Sequence, residues 1–251
     1  MSHILIMIPT YNEAGNILSL VERLLKLNIG ADILFVDDNS PDGTGKLLDS
    51  CAKKHTRITV LHRPHKAGIG TAHQYGIEWA YSHEYTHLVT MDGDFTHNPE
   101  DIPKLLEYTG DYDVVMGGRY SGKDSLEGWE EWRKFLSHLG HQFTTRLLNL
   151  KCDATTGFRA YRIDIIPHTT FMLVKSKSYS FFIESICILH ENKFTMHDVG
   201  VMFPPRSLGT SKLKFKDMVD WLLTVLKLGF EIRLHYKRLY DPSLSNGEVT
   251  E

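Results

Sequence analysis

Two carboxylates one residue apart, Asp92 and Asp94, close the stretch His87-Leu-Val-Thr-Met-Asp-Gly-Asp-Phe-Thr-His-Asn-Pro99. Carboxylates at i and i+2 with a glycine between them can turn towards one hard cation. Mg2+ or Mn2+ accepts such oxygen ligands and keeps positions for substrate phosphates. A solvated Asp-Gly turn would use the same letters, so the pair needs support from the elements around it. Leu88, Val89 and Met91 read as a short buried strand, and Gly93 and Pro99 stop its continuation. Both carboxylates are therefore expected where a strand emerges into a loop.

The same arrangement recurs upstream. An apolar strand over 3–8 ends at Pro9 and is followed by Thr10-Tyr11-Asn12-Glu13, after which Leu18, Val21, Leu24 and Leu25 mark a helix over 12–28. A second strand, 33–36, runs into Asp37-Asp38-Asn39-Ser40-Pro41-Asp42-Gly43-Thr44 before a helix over 45–54. A third strand (58–61) and helix (67–81), the strand 87–91, a helix over 99–108 and a fifth strand over 112–116 continue the alternation. Strands alternating with helices of this length predict an α/β fold with a mostly parallel, Rossmann-like sheet flanked by helices. Such sheets bind ligands at the carboxyl ends of their strands. Three polar clusters, 9–13, 37–40 and 92–94, are expected to meet along that one rim, which a set of unrelated turns would not explain.

Arg63 and Lys66 precede Gly68-x-Gly70 at the start of a helix, a cationic loop suited to a diphosphate, although the glycines do not form a dinucleotide fingerprint. His83-Glu-Tyr-Thr-His87 matches the spacing of a zinc peptidase, but it falls where a helix passes into a strand, so i and i+4 do not share a face. After Met116 the alternation stops. A long helix over 129–150 carries Trp132, Phe135, Leu139, Phe143 and Leu147 in one stripe, expected to be core. Arg133 and Ser137 lie one turn apart on it and could face the same anion, with Arg119 nearby. Residues 153–162 read as a polar turn, 181–189 as an apolar helix carrying the lone carboxylate Glu184, and 195–203 as a last strand. A basic loop follows, then a helix over 217–240 with an apolar face and a basic end, suited to a membrane surface or a partner's helices, then a disordered polar tail over 241–251.

At 251 residues, 42% hydrophobic and 24% charged, the chain suits one large domain over 1–240, and its net charge of -3 argues against a nucleic-acid partner. No stretch reaches the roughly 18 apolar residues that span a bilayer, and no basic, cleavable leader opens the chain, so a cytoplasmic protein is expected. Cys51, Cys152 and Cys187 are scattered and read as packing residues.

The motifs IPTYNE (8–13), VDDNSPDGT (36–44), Asp92-Gly-Asp94 with His97-x-Pro99, GGRY (117–120), TGFRAYR (156–162) and Arg206-x-x-Gly209-x-Ser-Lys-Leu213 occur in the order seen in polyprenol-phosphate sugar synthases. Over about residues 3–230 the chain resembles the dolichol-phosphate mannose synthase family, inverting glycosyltransferases of GT-A fold. That resemblance implies transfer of mannose from GDP-mannose to a polyprenyl phosphate at the cytoplasmic face of a membrane, with Mg2+ or Mn2+, and in some members with a small membrane-spanning partner subunit. It implies a nucleotide-binding half over 1–118, an acceptor half over 119–213 and an amphipathic C-terminal helix over 214–240. Pro9, Tyr11, Glu13 and Asp38 would hold the base and ribose with Asp37 beside them, and Asp92 and Asp94 the metal and diphosphate. Arg119, Arg133 and Ser137 would grip the acceptor phosphate, and Arg206 with Lys212 would belong to a loop closing over the donor. Thr96 departs from the family pattern, which implies that the metal relies more on water. The stretch Tyr179-Ser-Phe-Phe-Ile-Glu184 departs from it at a polar contact to the sugar, which leaves UDP-glucose or another sugar nucleotide open as the donor, as a non-lipid acceptor is left open.

Overall fold

A computed structural model describes residues 3–121, 126, 130–204 and 215–244. Five strands follow the expected alternation: β1 (Ile4–Thr10), β2 (Asp32–Asp37), β3 (Ile58–His62), β4 (His87–Thr90) and β5 (Val114–Gly118). Between them lie α1 (Ala14–Lys26), α2 (Thr44–Ala52), α3 (Ile69–Ser82) and α4 (Ile102–Glu107), the last entered and left through single 3-10 turns. The second half adds α5 (Glu131–Leu148), β6 (Arg159–Arg162), α6 (His168–Met172), α7 (Ser180–Glu191), β7 (Met196–Gly200) and α8 (Phe215–Arg233).

All seven strands form one sheet in the order β3-β2-β1-β4-β6-β5-β7. Pairing is parallel except for β6, which runs antiparallel between β4 and β5. Alternate side chains of β1 divide the interior: Leu5 and Met7 face a layer of α3, α7 and α8, while Ile4, Ile6 and Ile8 face α1, α2 and α4. Contact with α3 is close, because a Cβ on Gly76 would lie 2.4 Å from Met7 Cγ.

Several elements differ from expectation. Residues 153–162 are not all turn, since Arg159–Arg162 is a central strand. Its arginine masks the strand signal, yet Arg159 is fully buried, with its guanidinium donating to Tyr161, Ser185 and the carbonyls of Ala154 and Phe182. The stripe on α5 is not core: Trp132 is 57% and Phe135 67% exposed, and Leu139 and Phe143 also face outwards. Among the described residues, α8 covers the C-terminal end of α5, with Trp221 near Phe143 and Gly229 against Leu147, and Tyr120 packs on its middle against His138 and His141. The last helix stops at Arg233 rather than 240 and passes through a 3-10 turn, Lys237–Leu239. Asp241, placed in the expected tail, is buried and accepts hydrogen bonds from Thr169 and Thr170, while 245–251 lie outside the described residues.

Candidate active site

The carboxyl ends of β1, β2 and β4 open into a cavity of about 590 Å3. Pro9, Tyr11, Glu13, Asp38, Lys66, Asp92 and Asp94 all line it. Hydrogen bonds between loops far apart in sequence set this rim. The Asn12 amide donates to Ser40 Oγ, that of Glu13 to Thr44 Oγ1 at 2.9 Å, and that of Ala14 to Asp42 at 3.0 Å. Turn-forming residues after β2 thereby hold the start of α1.

Asp37 does not line the cavity, although it stands beside Asp38. Its carboxylate is buried and bonded to Thr10 Oγ1, Ser40 Oγ and the Ser40 amide, so it organises the turn from behind. Arg63 is a second correction. Buried at 5% exposure, it meets Asp38 at 3.0 Å and donates to Thr71 Oγ1, so it is not a solvated cation waiting for a diphosphate. Burial raises the Asp38 carboxyl above the usual range, and the Arg63 charge opposes that rise. Lys66 does project to the cavity, with Nζ 4.0 Å from the centre of the Tyr11 ring.

Past the end of β4 the chain makes a tight loop in which Phe95 takes φ 62°. Thr96 donates to Asp94 Oδ1 through its amide (3.1 Å) and hydroxyl (2.6 Å). The residue that departs from the family pattern therefore orients one carboxylate of the pair. Among the described residues no three His, Cys, Asp or Glu side chains converge as a metal site. Two carboxylates alone suit a hard cation whose remaining ligands are phosphate oxygens and water, so the donor set fits Mg2+ or Mn2+ arriving with a nucleotide diphosphate. The His83 and His87 pair is no such site, because His83 stacks on Trp79 at the end of α3 while His87 opens β4.

The far wall comes from the segment before α7. Gly70 N–H donates to the Lys177 carbonyl at 3.0 Å, and Gly68 has φ 103° with room for no Cβ, which would lie 2.3 Å from that same oxygen. Glu184 builds this wall and does not line the cavity. It accepts from the Lys175 and Ser176 amides and, across to the C-terminal segment, from Arg238 at 2.9 Å. Ser178 and Tyr179 consequently reach the cavity, as does Lys216 from the start of α8. None of these three was singled out from the sequence, and only the family stretch beginning at Tyr179 offered a signal.

Arg119 leaves β5 and two of its nitrogens engage Asp153, Nε at 2.8 Å and Nη2 at 2.9 Å, with Thr155 beside them. Burial disfavours the Asp153 anion, yet the Arg119 charge and hydrogen bonds outweigh it and hold the carboxyl well below the usual range. Asp198 on β7 stands behind this pair, accepting the Asp153 amide at 2.8 Å. Burial and the neighbouring Asp153 charge push its carboxyl up to about 7. Ser137 bonds Tyr120 through both its hydroxyl and its carbonyl, so its Oγ is already committed. Arg133 sits on α5 one turn from Ser137, its side chain outside the described residues, and Arg206 and Lys212 lie outside them altogether.

A mostly parallel sheet with one antiparallel strand, flanked by helices and carrying a carboxylate pair at its carboxyl rim, is the GT-A fold. The model of glycosyl transferase family 2 matches residues 5–170, and the chain belongs to that family. A polyprenol monophosphomannose synthase of Mycolicibacterium smegmatis is 35% identical over 237 residues, 93% of this chain and 89% of that protein. An undecaprenyl-phosphate mannosyltransferase of Micrococcus luteus is 34% identical over 231 residues, 92% of this chain and 95% of that protein. Among solved structures, a glucosyl-3-phosphoglycerate synthase of Mycobacterium tuberculosis shares the fold at a TM-score of 0.66 and 15% identity, covering 91% of this chain and 80% of that one. A mannosyltransferase of Pyrobaculum calidifontis, solved with GDP-Man and Mn2+, shares it at 0.52 and 14% identity, covering 97% of this chain and 68% of that one.

Proposed function

We propose that the protein transfers mannose from GDP-mannose to a polyprenyl phosphate, with inversion, at a membrane surface. The observation that carries the reading is the convergence of Tyr11, Asp38, Lys66, Asp92 and Asp94, from separate strand ends, on one cavity. The names of the two relatives at about a third identity supply the acceptor class. In this reading Pro9, Tyr11, Glu13 and Asp38 hold the nucleoside, with Asp37 fixing the turn that carries Asp38. Lys66 faces the diphosphate. Asp92 and Asp94 would hold Mg2+ or Mn2+, which supplies charge neutralisation for the departing diphosphate.

A phosphate monoester has a second pKa near 6 and is largely ionised at neutral pH, so the acceptor needs no strong general base. Its oxygen attacks the anomeric carbon while the bond from that carbon to the GDP oxygen breaks, the electron pair leaving with GDP. Attack opposite the leaving group turns an α-linked donor into a β-linked product. Positioning is the main demand on the protein. Arg119, set by Asp153, stands at the acceptor side, with Arg133, Ser137, Arg206 and Lys212 assigned to the acceptor phosphate and the closing loop on the family resemblance.

Exposed apolar side chains on α5 and α8 support lipid contact. Trp132, Phe135, Leu136 and Leu139 project from one helix and Leu222, Leu223, Leu226 and Phe230 from the other. No described helix is long and apolar enough to cross a membrane. A peripheral protein on the cytoplasmic leaflet, alone or with a small membrane-spanning partner, accommodates both facts. The test is to supply Mg2+ and a short polyprenyl phosphate with GDP-mannose or UDP-glucose in parallel and follow sugar into the organic phase. Lipid-linked mannose from the GDP donor alone is expected. Product from UDP-glucose instead would overturn the sugar, and nucleotide binding without any lipid product would overturn the acceptor.

A further inference from the structure

The last ladder bond of the β4 path is the Met91 amide to the Met7 carbonyl, at 3.2 Å. The next amide, that of Asp92, has no strand to pair with and points instead at a side chain, donating to His97 Nδ1 at 2.9 Å. A backbone N–H can only donate, so Nδ1 is the unprotonated nitrogen of the ring and Nε2 carries the proton. His97 itself is buried, at 4% exposure. Its ring stacks on Phe158 at 5.1 Å and 14°, and meets Phe203 edge-on at 5.5 Å. Both aromatic neighbours come from the second half of the chain, so the imidazole is fixed independently of the loop that carries it.

That loop is held from the opposite side as well. Arg23 of α1 donates to Asn98 and to Glu100, and lies 5.2 Å from the centre of the Phe95 ring. The turn bearing both carboxylates, 92–94, thus lies between the strand end at Met91 and a loop tied down at Phe95, His97, Asn98 and Glu100. We infer that His97 is a positioning residue, its Nδ1 fixing the Asp92 backbone so that the Asp92 and Asp94 carboxylates hold the spacing that binds a divalent cation together with a nucleotide diphosphate. The inference rests on the metal-diphosphate reading of those carboxylates. A ligand's supporting hydrogen bond of this kind is worth roughly ten- to a hundredfold in metal affinity.

Three substitutions separate the hydrogen bond from the packing. In His97→Asn, Oδ1 occupies the place of Nδ1 and can accept the Asp92 amide, while the ring is lost. His97→Phe keeps a ring between Phe158 and Phe203 but accepts nothing. In His97→Gln the carbonyl reaches the far, Nε2, position. Each full-length variant is checked for folding by circular dichroism and thermal midpoint, and Mn2+ binding in the presence of GDP is counted by electron paramagnetic resonance of the free ion. Affinity in His97→Phe and His97→Gln is expected to fall by about ten- to a hundredfold, with His97→Asn within about threefold of the parent even if its melting point drops, since the amide keeps its acceptor. A folded His97→Phe that binds Mn2+ and GDP like the parent would overturn the inference, and it decides alone if the asparagine variant does not fold. Failure of the parent to bind Mn2+ with GDP would remove the metal-diphosphate reading and this inference together, an outcome distinct from parental binding that His97→Phe leaves unchanged.

Discussion

Arg119 and Asp153, on the side we propose for the acceptor, couple stability to chemistry closely. The Asp153 carboxylate has no exposed surface, and removing its partner leaves a buried charge uncompensated. Arg119→Ala is therefore expected to cost about 3–5 kcal/mol in urea unfolding, part of which Arg119→Ala combined with Asp153→Ala restores. A simple loss of turnover in the single variant would report unfolding as much as phosphate binding. Asp198 gives a sharper signature. Its folded pKa of about 7 lies above the ordinary aspartate value of 3.8, so the folded state binds the extra proton and stability falls as pH rises between those values, then stays level. Asn keeps an acceptor for the Asp153 amide and carries no charge. The stability gained by Asp198→Asn should grow from pH 4 to 7 and reach on the order of 1–4 kcal/mol above it. A gain independent of pH would show that Asp198 is not the titrating group.

Elements place these residues, and they differ in how plainly the sequence announced them. Strand-helix alternation from β1 to β5 follows from apolar runs and capping residues, and with it the rim where Tyr11, Asp38, Asp92 and Asp94 meet. β6 escaped because a buried arginine with four donated hydrogen bonds looks polar when only its neighbours in sequence are visible. Arg63 reads as a cation for a diphosphate for the converse reason, its Asp38 partner being 25 residues away. Periodicity found the apolar stripe of α5 but could not tell a face packed on the core from one turned outwards. That face and its continuation on α8 can be tested together. Leu223→Asp with Phe230→Asp, both exposed in the parent, should leave the thermal midpoint within a few degrees and reduce binding to phospholipid vesicles several-fold. Unchanged vesicle sedimentation would remove the membrane assignment of this surface. Gly68 supplies a second test, because its φ and the 2.3 Å approach of the Lys177 carbonyl exclude a side chain. Gly68→Ala is expected to push back the wall carrying Ser178 and Tyr179 and weaken GDP binding by tenfold or more, read by calorimetry.

Across the whole molecule the cavity at the carboxyl rim and the outward apolar helices are joined by covalent and ionic continuity. Lys216 and Asp217, at the start of α8, line the cavity, while Leu222, Leu223, Leu226 and Phe230 further along the same helix face outwards. Arg238, beyond its end, bonds Glu231 of α8 and Glu184 behind the Lys175–Ser178 wall. A lipid-borne phosphate delivered along α5 and α8 would thus arrive beside the nucleotide without crossing the protein interior. The most direct test of that arrangement is the anomeric configuration of the product. Purified protein, Mg2+, GDP-mannose and a short polyprenyl phosphate should yield an organic-phase product whose NMR spectrum is that of a β-mannosyl phosphate, and Asp94→Asn should yield none. An α-linked product would contradict in-line displacement, and mannose released to water with the polyprenyl phosphate unmodified would contradict lipid transfer itself.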